Sequence, residues 1–273
     1  MSNTNRLFLI IMVIGVLFSA GVAKDKIVTS TWCTTPLKVD GESTEWQGLP
    51  VTFEKKVQVD YAFMNDARYL YVFFVFKDPQ YLSSINQTGM TLYFNIEGKK
   101  KKDYGINFIQ KRISAQQYIA LLEKQQGPLS EADKNNILAN PHYAVFAADV
   151  LNKKAKKGTP EPPADARAAV YRMQQDQEKH VSIEFAVPLV RVAELAPGIG
   201  TEPGKTIKMG FEWGGMTDAM KKARMNRFQS QSERSAEKVS EEPARGTRAS
   251  TSRGRRLPKR FDFWVDVQLA SQK

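Results

Sequence analysis

The chain has 273 residues, 42% of them hydrophobic and 25% charged, which is enough to bury a sizeable core and too apolar for disorder throughout. Forty Lys+Arg against 29 Asp+Glu leave a formal net charge of +11, which favours anionic neighbours and says nothing about fold. A single cysteine, Cys33, excludes an internal disulfide framework, and two histidines, His142 and His180, exclude a His-rich metal centre.

After Arg6 an apolar run from Leu7 to Phe18 is followed by the small residues of Ser19-Ala20-Gly21-Val22-Ala23. This is the pattern of a secretory signal peptide, and the run is shorter than the roughly 20 residues a membrane-spanning helix needs. Cleavage is expected after Ala23, with residues 24–273 secreted or periplasmic. No cysteine lies next to the cut, so no lipid anchor is expected there, and Cys33 reads as a buried, inert thiol, with a thiol available for intermolecular pairing as the alternative.

Period-two alternation dominates the rest. Val57 to Met64 alternates, Asn65-Asp66-Ala67 turns, and Tyr69 to Phe76 (YLYVFFVF) reads as a central strand apolar on both faces. Met90, Leu92, Phe94 and Ile96 alternate with Thr91, Tyr93 and Asn95, and after the lysine-rich turn from Gly98 to Asp103 the pattern resumes over Tyr104 to Ile109 as a second hairpin. From Ser114 the spacing turns helical, with Ser114 and Ser130 as N-caps of two short helices, the second reaching Ala139, expected to form a lid or edge cover.

Ala168 to Met173 and Val181 to Val187 read as strands, the second stopped at Pro188 and followed by a short helical turn through Leu195. Ile207 to Trp213 and Phe261 to Leu269 complete the set. One-faced alternation without a βαβ rhythm predicts an all-β fold, an antiparallel β-sandwich with two or three short helices. Two stretches fall outside that core. Residues 152–166 are charged and Pro-rich. Residues 216–260 hold thirteen Lys and Arg against five Asp and Glu, forming a long basic loop.

Val39-Asp40-Gly41-Glu42-Ser43-Thr44-Glu45-Trp46, the hairpin strand Tyr69 to Asp78, Glu184-Phe185-Ala186-Val187-Pro188-Leu189 and the closing Phe261-Asp262-Phe263-Trp264 occur in an order that resembles the family 9 carbohydrate-binding module and its wider DOMON-like superfamily. The resemblance covers roughly residues 36–273 without the long insertion. It implies a jelly-roll-like sandwich, a non-catalytic sugar-binding role and often bound calcium. It does not fix which tryptophans stack on sugar.

Sugar recognition needs a flat aromatic face with hydroxyl-binding polar groups around it. Trp264 shares its strand face with Asp262, Asp266 and Gln268 while Phe263 and Val265 take the other, which makes it the foremost candidate, with cover by the short helices or the inserted loop as the competing reading. Trp213 is in phase with core residues but ends its strand before Gly214-Gly215. Trp46 is expected to plug one end of the sandwich. Glu184 and Glu212 point away from apolar neighbours and are expected on the same polar face as Trp264. Two outward carboxylates also raise glycoside hydrolysis, but solvated charge is the commoner meaning. Asp66 and Asp78, at turns beside the central hairpin, are the candidate calcium ligands, with turn formation as the competing reading.

In the basic loop, Arg245, Arg248, Arg253, Arg255 and Arg256 are spaced by glycine and serine in a pattern suited to a polyanion. Export weighs against nucleic acid and favours an anionic glycan or another component of the cell envelope, so an envelope interaction protein acting through this loop is one alternative. Another is haem binding and electron transfer, implied by haem-carrying relatives of the superfamily, for which Met64, Met90, Met209, His142 and His180 are the available ligands.

Overall fold

The alternating segments pair into two sheets packed face to face. The structure is a computed structural model and describes residues 27–78, 80–163, 165–216, 220–223, 225–226 and 259–272, with 80–83 described in backbone alone. The expected signal peptide, residues 1–23, lies outside the described residues, as do Arg245, Arg248, Arg253, Arg255 and Arg256. Among the described residues no helix is long and apolar enough to cross a membrane.

The front sheet has the order β1 (Ile27–Thr29), β12 (Arg260–Gln268), β11 (Thr206–Gly214), β6 (Met90–Asn95), β7 (Tyr104–Ser114), β8 (His142–Asn152). The back sheet runs β2 (Thr31–Trp32), β4 (Val59–Asn65), β5 (Tyr69–Phe76), β10 (Val181–Pro188), β9 (Val170–Gln175), with β3 (Thr52–Glu54) also on β4. The β-sandwich read from the alternation is therefore the observed fold. Its sheets are mixed rather than purely antiparallel, because β1 joins β12 and β2 joins β4 in parallel.

Those parallel pairs arise where the N-terminal segment crosses from one sheet to the other at Ser30. Ser30 Oγ bonds Asn65 Oδ1 and accepts the Ala270 N–H (2.9 Å), and Asn65 Nδ2 donates to the Ala270 carbonyl (3.0 Å). Asn65 is fully buried, so this polar knot ties β4 to both ends of the described chain.

The core lies between the sheets and is rich in aromatic rings. Phe74 meets Phe211 edge-on at 5.0 Å and Phe211 stacks on Phe263 at 4.8 Å. β5 is apolar on both faces, as its sequence requires. Leu70, Val72, Phe74 and Phe76 face the core, while Tyr71 and Phe73 face outward beneath the segment from Cys33 to Leu49. Trp46 covers this outer surface, stacked on Phe73 at 4.9 Å, and does not plug an end of the sandwich.

Both serine caps form as expected. Ser114 Oγ accepts from Gln117 N (3.3 Å) and Gln117 Oε1 accepts from Ser114 N (3.0 Å), opening α2 (Ala115–Gln126), while Ser130 caps α3 (Glu131–Leu138). These helices do not lid the core. They sit at the tip of the β7–β8 hairpin, where Tyr118 stacks on Tyr143 at 4.3 Å and only Ala115 among the residues of the two helices is buried. The helical turn expected after Pro188 is absent; the chain loops from 189 to 205 with Leu189, Ala196 and Ile199 buried. β8 and α1 (Gln80–Thr88) have no counterpart in the sequence reading.

Candidate functional site

Because pairing partners share a face, the strand register of the front sheet sorts its outward residues into cross-strand rows. The central row runs Leu151, Gly105, Tyr93, Gly210, Trp264 across β8, β7, β6, β11 and β12. Aromatic residues thus alternate with glycines. A Cβ on Gly210 would stand 2.7 Å from the Trp264 indole, and one on Gly105 would stand 2.8 Å from the Tyr93 ring. Each ring therefore lies flat over the glycine beside it, which no larger residue permits. The two rings come within 6.3 Å, centroid to centroid, and 19° of parallel, and both remain partly exposed.

Charged rows border this strip. On one side lie Asp149, Asn107, Thr91, Glu212 and Asp262, and on the other Asn95, Lys208 and Asp266. Glu212 is paired with both Lys102 and Arg260, and Lys102 Nζ also lies 5.5 Å from the Tyr93 ring centre and 3.9 Å from Asp262. Asp262 accepts a bond from Lys56 at 3.1 Å, and Lys208 meets Asp266 at 2.7 Å. Burial, reinforced by the Glu212 charge, raises the Tyr93 phenol above its ordinary value. The hydrogen bond to Glu212 holds the Arg260 guanidinium even more firmly charged than usual. The outcome is a flat apolar strip with carboxylates and cations at both margins.

Of the residues singled out from the sequence, Trp264, Glu212 and Asp262 meet on this face. Trp213 does not. It is 1% exposed in the core, stacked on Phe261 at 5.5 Å, because its strand phase matches Met209 and Phe211. Glu184 belongs to the other side of the molecule, on the outer surface of the back sheet, and is fully buried. Its Oε1 accepts from the Trp46 indole (2.7 Å) and its Oε2 from the backbone N–H groups of Asp40 (3.0 Å) and Gly41 (2.9 Å). The Asp-Gly and Trp of the first motif and the Glu of the third thus join in one anchor. Burial pushes the Glu184 carboxyl upward, against the pull of the Trp46, Gly41 and Asp40 donors.

Asp66 and Asp78 do not come together, since they flank opposite ends of the eight-residue β5. Asp66 Oδ1 accepts from Arg68 N and Tyr69 N, each at 2.6 Å, and Oδ2 from the Tyr71 hydroxyl at 2.9 Å, so its oxygens serve the turn. Among the described residues no three acidic, histidine or cysteine side chains gather as metal ligands. The methionines and histidines are dispersed as well. Met90 and Met209 are in the core, Met64 lies under the Trp46 segment, His142 begins β8 and His180 sits beside Asp176 and Glu178.

The sequence reading passed over Tyr93, Gly105, Gly210 and Lys102. The outward phase of Tyr93 was legible, but its adjacency to Trp264 depends on β11 lying between β6 and β12.

No family model matches the chain, and no curated protein matches it. Among solved structures it is similar to a family 9 carbohydrate-binding module from Caldicellulosiruptor kristjanssonii in complex with glucose, at 12% identity and a TM-score of 0.29 over 71% of this chain and 81% of that one. The same module in complex with cellotriose gives 13% identity and a TM-score of 0.33 over 71% and 80%. At such scores neither neighbour bears on what this chain binds.

Proposed function

We propose that this is an exported, non-catalytic carbohydrate-binding protein that holds saccharide rings on Trp264 and Tyr93. The observation that carries the reading is the pair of nearly parallel rings laid on glycines at the centre of a polar sheet face. Pyranose C–H groups pack on such a surface while Asp262, Glu212 and Lys102 meet hydroxyls at its margins. A glycosidase needs an acid and a second carboxylate flanking one bond. Here Glu212 is engaged by two cations, and Glu184 is sealed on the opposite side. That distribution suits binding without turnover.

Calorimetry against a panel of oligosaccharides tests the site. Trp264→Ala and Tyr93→Ala are each expected to weaken retention at least about tenfold, equivalent to about 1.4 kcal/mol; unchanged affinity in both variants removes the strip from the site. N-terminal sequencing of exported protein is expected to begin at Lys24, and an intact Met1 in the membrane fraction contradicts the export reading.

A further inference from the structure

The strip does not end in neutral surroundings. The β6–β7 turn carries Lys99, Lys100, Lys101 and Lys102, and the segment leaving β8 carries Lys153, Lys154, Lys156 and Lys157, against only Glu97 and Asp103 within the same two stretches. These turns are neighbours in space, joined by the Lys153 N–H to the Asp103 carbonyl at 2.9 Å. Both are fixed by local bonds. Asn95 Oδ1 accepts from the backbone of Glu97 (3.0 Å) and Lys99 (2.8 Å), and Asn152 Oδ1 accepts from that of Lys154 (3.0 Å). Between them opens a hollow of about 480 Å³ whose charged lining is Glu97, Asp103 and Glu194 with Lys154 and Arg191, the Arg191 guanidinium set 4.3 Å from the Tyr104 ring centre, so the positive field lies on the lysines of the turns rather than in the hollow.

Lys99 is paired with Glu97 and Lys102 with Glu212, yet eight lysines against two carboxylates on these two braced turns leave a net positive field that a polyanion relieves. Lys102 makes the cluster continuous with the strip, since it belongs to the turn and lies over Tyr93. Glu97 responds to the same field: the hydrogen bond from Lys99, with the charges of Lys99, Lys101 and Lys154, holds its carboxyl below the usual range.

We propose that the ligand is an anionic polysaccharide, its sugar rings on Trp264 and Tyr93 and its carboxylate or sulfate groups at Lys99, Lys100, Lys101, Lys153 and Lys154. This deepens, and rests on, the reading of the strip as a saccharide platform. A membrane surface would engage the lysines without the rings, and an uncharged glycan would engage the rings without the lysines.

The test uses the purified full-length protein with polygalacturonate and its fully methyl-esterified form, with dextran sulfate and dextran, and with phosphatidylglycerol vesicles. Affinity is measured over a salt series, with the variants Trp264→Ala and K99Q/K100Q/K101Q/K153Q/K154Q, the latter checked for an unchanged thermal midpoint. One or both acidic polymers are expected to bind, more weakly as salt rises, at least about tenfold better than their uncharged counterparts and at least about tenfold better than to either variant. Which acidic polymer binds identifies carboxylate or sulfate as the anion. Equal binding of charged and uncharged polymers, with the lysine variant unaffected, overturns the anionic proposal and leaves the platform standing. Polymer binding that needs the lysines but not Trp264 overturns the platform and the joint site with it. Lysine-dependent vesicle binding without polymer binding overturns the proposal in favour of a membrane, and failure to bind any of the probes overturns it outright.

Discussion

The Trp46 indole donates to Glu184 Oε1 at 2.7 Å across 138 residues of chain, and it fastens the segment before β3 onto the outer surface of the back sheet. Glu184→Ala leaves that indole and two backbone N–H groups without their acceptor, so a loss of about 3 kcal/mol in unfolding free energy is expected. Trp46→Phe keeps the ring over Phe73 but strands one carboxylate oxygen, for about 1–2 kcal/mol. Urea titration checks both. Equal, negligible losses would mean that the anchor contributes nothing.

Gly210 is the floor beneath Trp264. Gly210→Ala places a methyl where the indole lies, and the ring, being the movable partner, has to lift. Tryptophan emission is expected to shift to the red and saccharide affinity to fall toward that of Trp264→Ala, while the thermal midpoint changes little. An unshifted spectrum would show that the indole does not rest there.

Asn65 faces the carbonyls of Asp66 (3.1 Å) and Ala270 (3.0 Å) through its amide nitrogen. Asn65→Asp replaces that donor with a carboxylate oxygen in a buried site, so the variant is destabilised when ionised and recovers when protonated. Thermal midpoints are therefore expected to be further below wild type near pH 7 than near pH 4. A gap independent of pH would contradict this account of the knot.

Cys33 sits half-buried beside the back sheet, and burial, then the Asp66 charge, pushes its thiol up to about 11. Alkylation of the native protein at neutral pH is expected to run about a hundredfold slower than in a denatured control, because only the thiolate reacts. The unfolded chain ionises first as pH climbs, so this group withdraws stability between about 9 and 11. Rates equal in the two states would place Cys33 in open solvent.

Alternation along each strand made the sandwich readable, and it also placed Trp264 outward and Phe263 inward. It could not say which sheet a strand joins. Glu184 and Glu212 carry the same local signal, an acid out of phase with apolar neighbours, yet β10 joins the back sheet under a covering segment and β11 joins the open front sheet. The partnership of Trp264 with Tyr93 was hidden for the same reason, since 171 residues separate them and only strand order joins them. β8 was missed because this edge strand of the front sheet buries no side chain fully, leaving little hydrophobic period to read.

The parallel β1 lies along the last residues of β12, and Ala270 closes on Ser30. The described chain therefore enters level with Asp266 and leaves past Ala270, only a few residues apart along the same margin of the front sheet. A short linker from residue 272 to residue 27, with new termini opened between the exposed Lys157 and Gly158, is accordingly expected to yield a circular permutant that keeps every strand pairing described above.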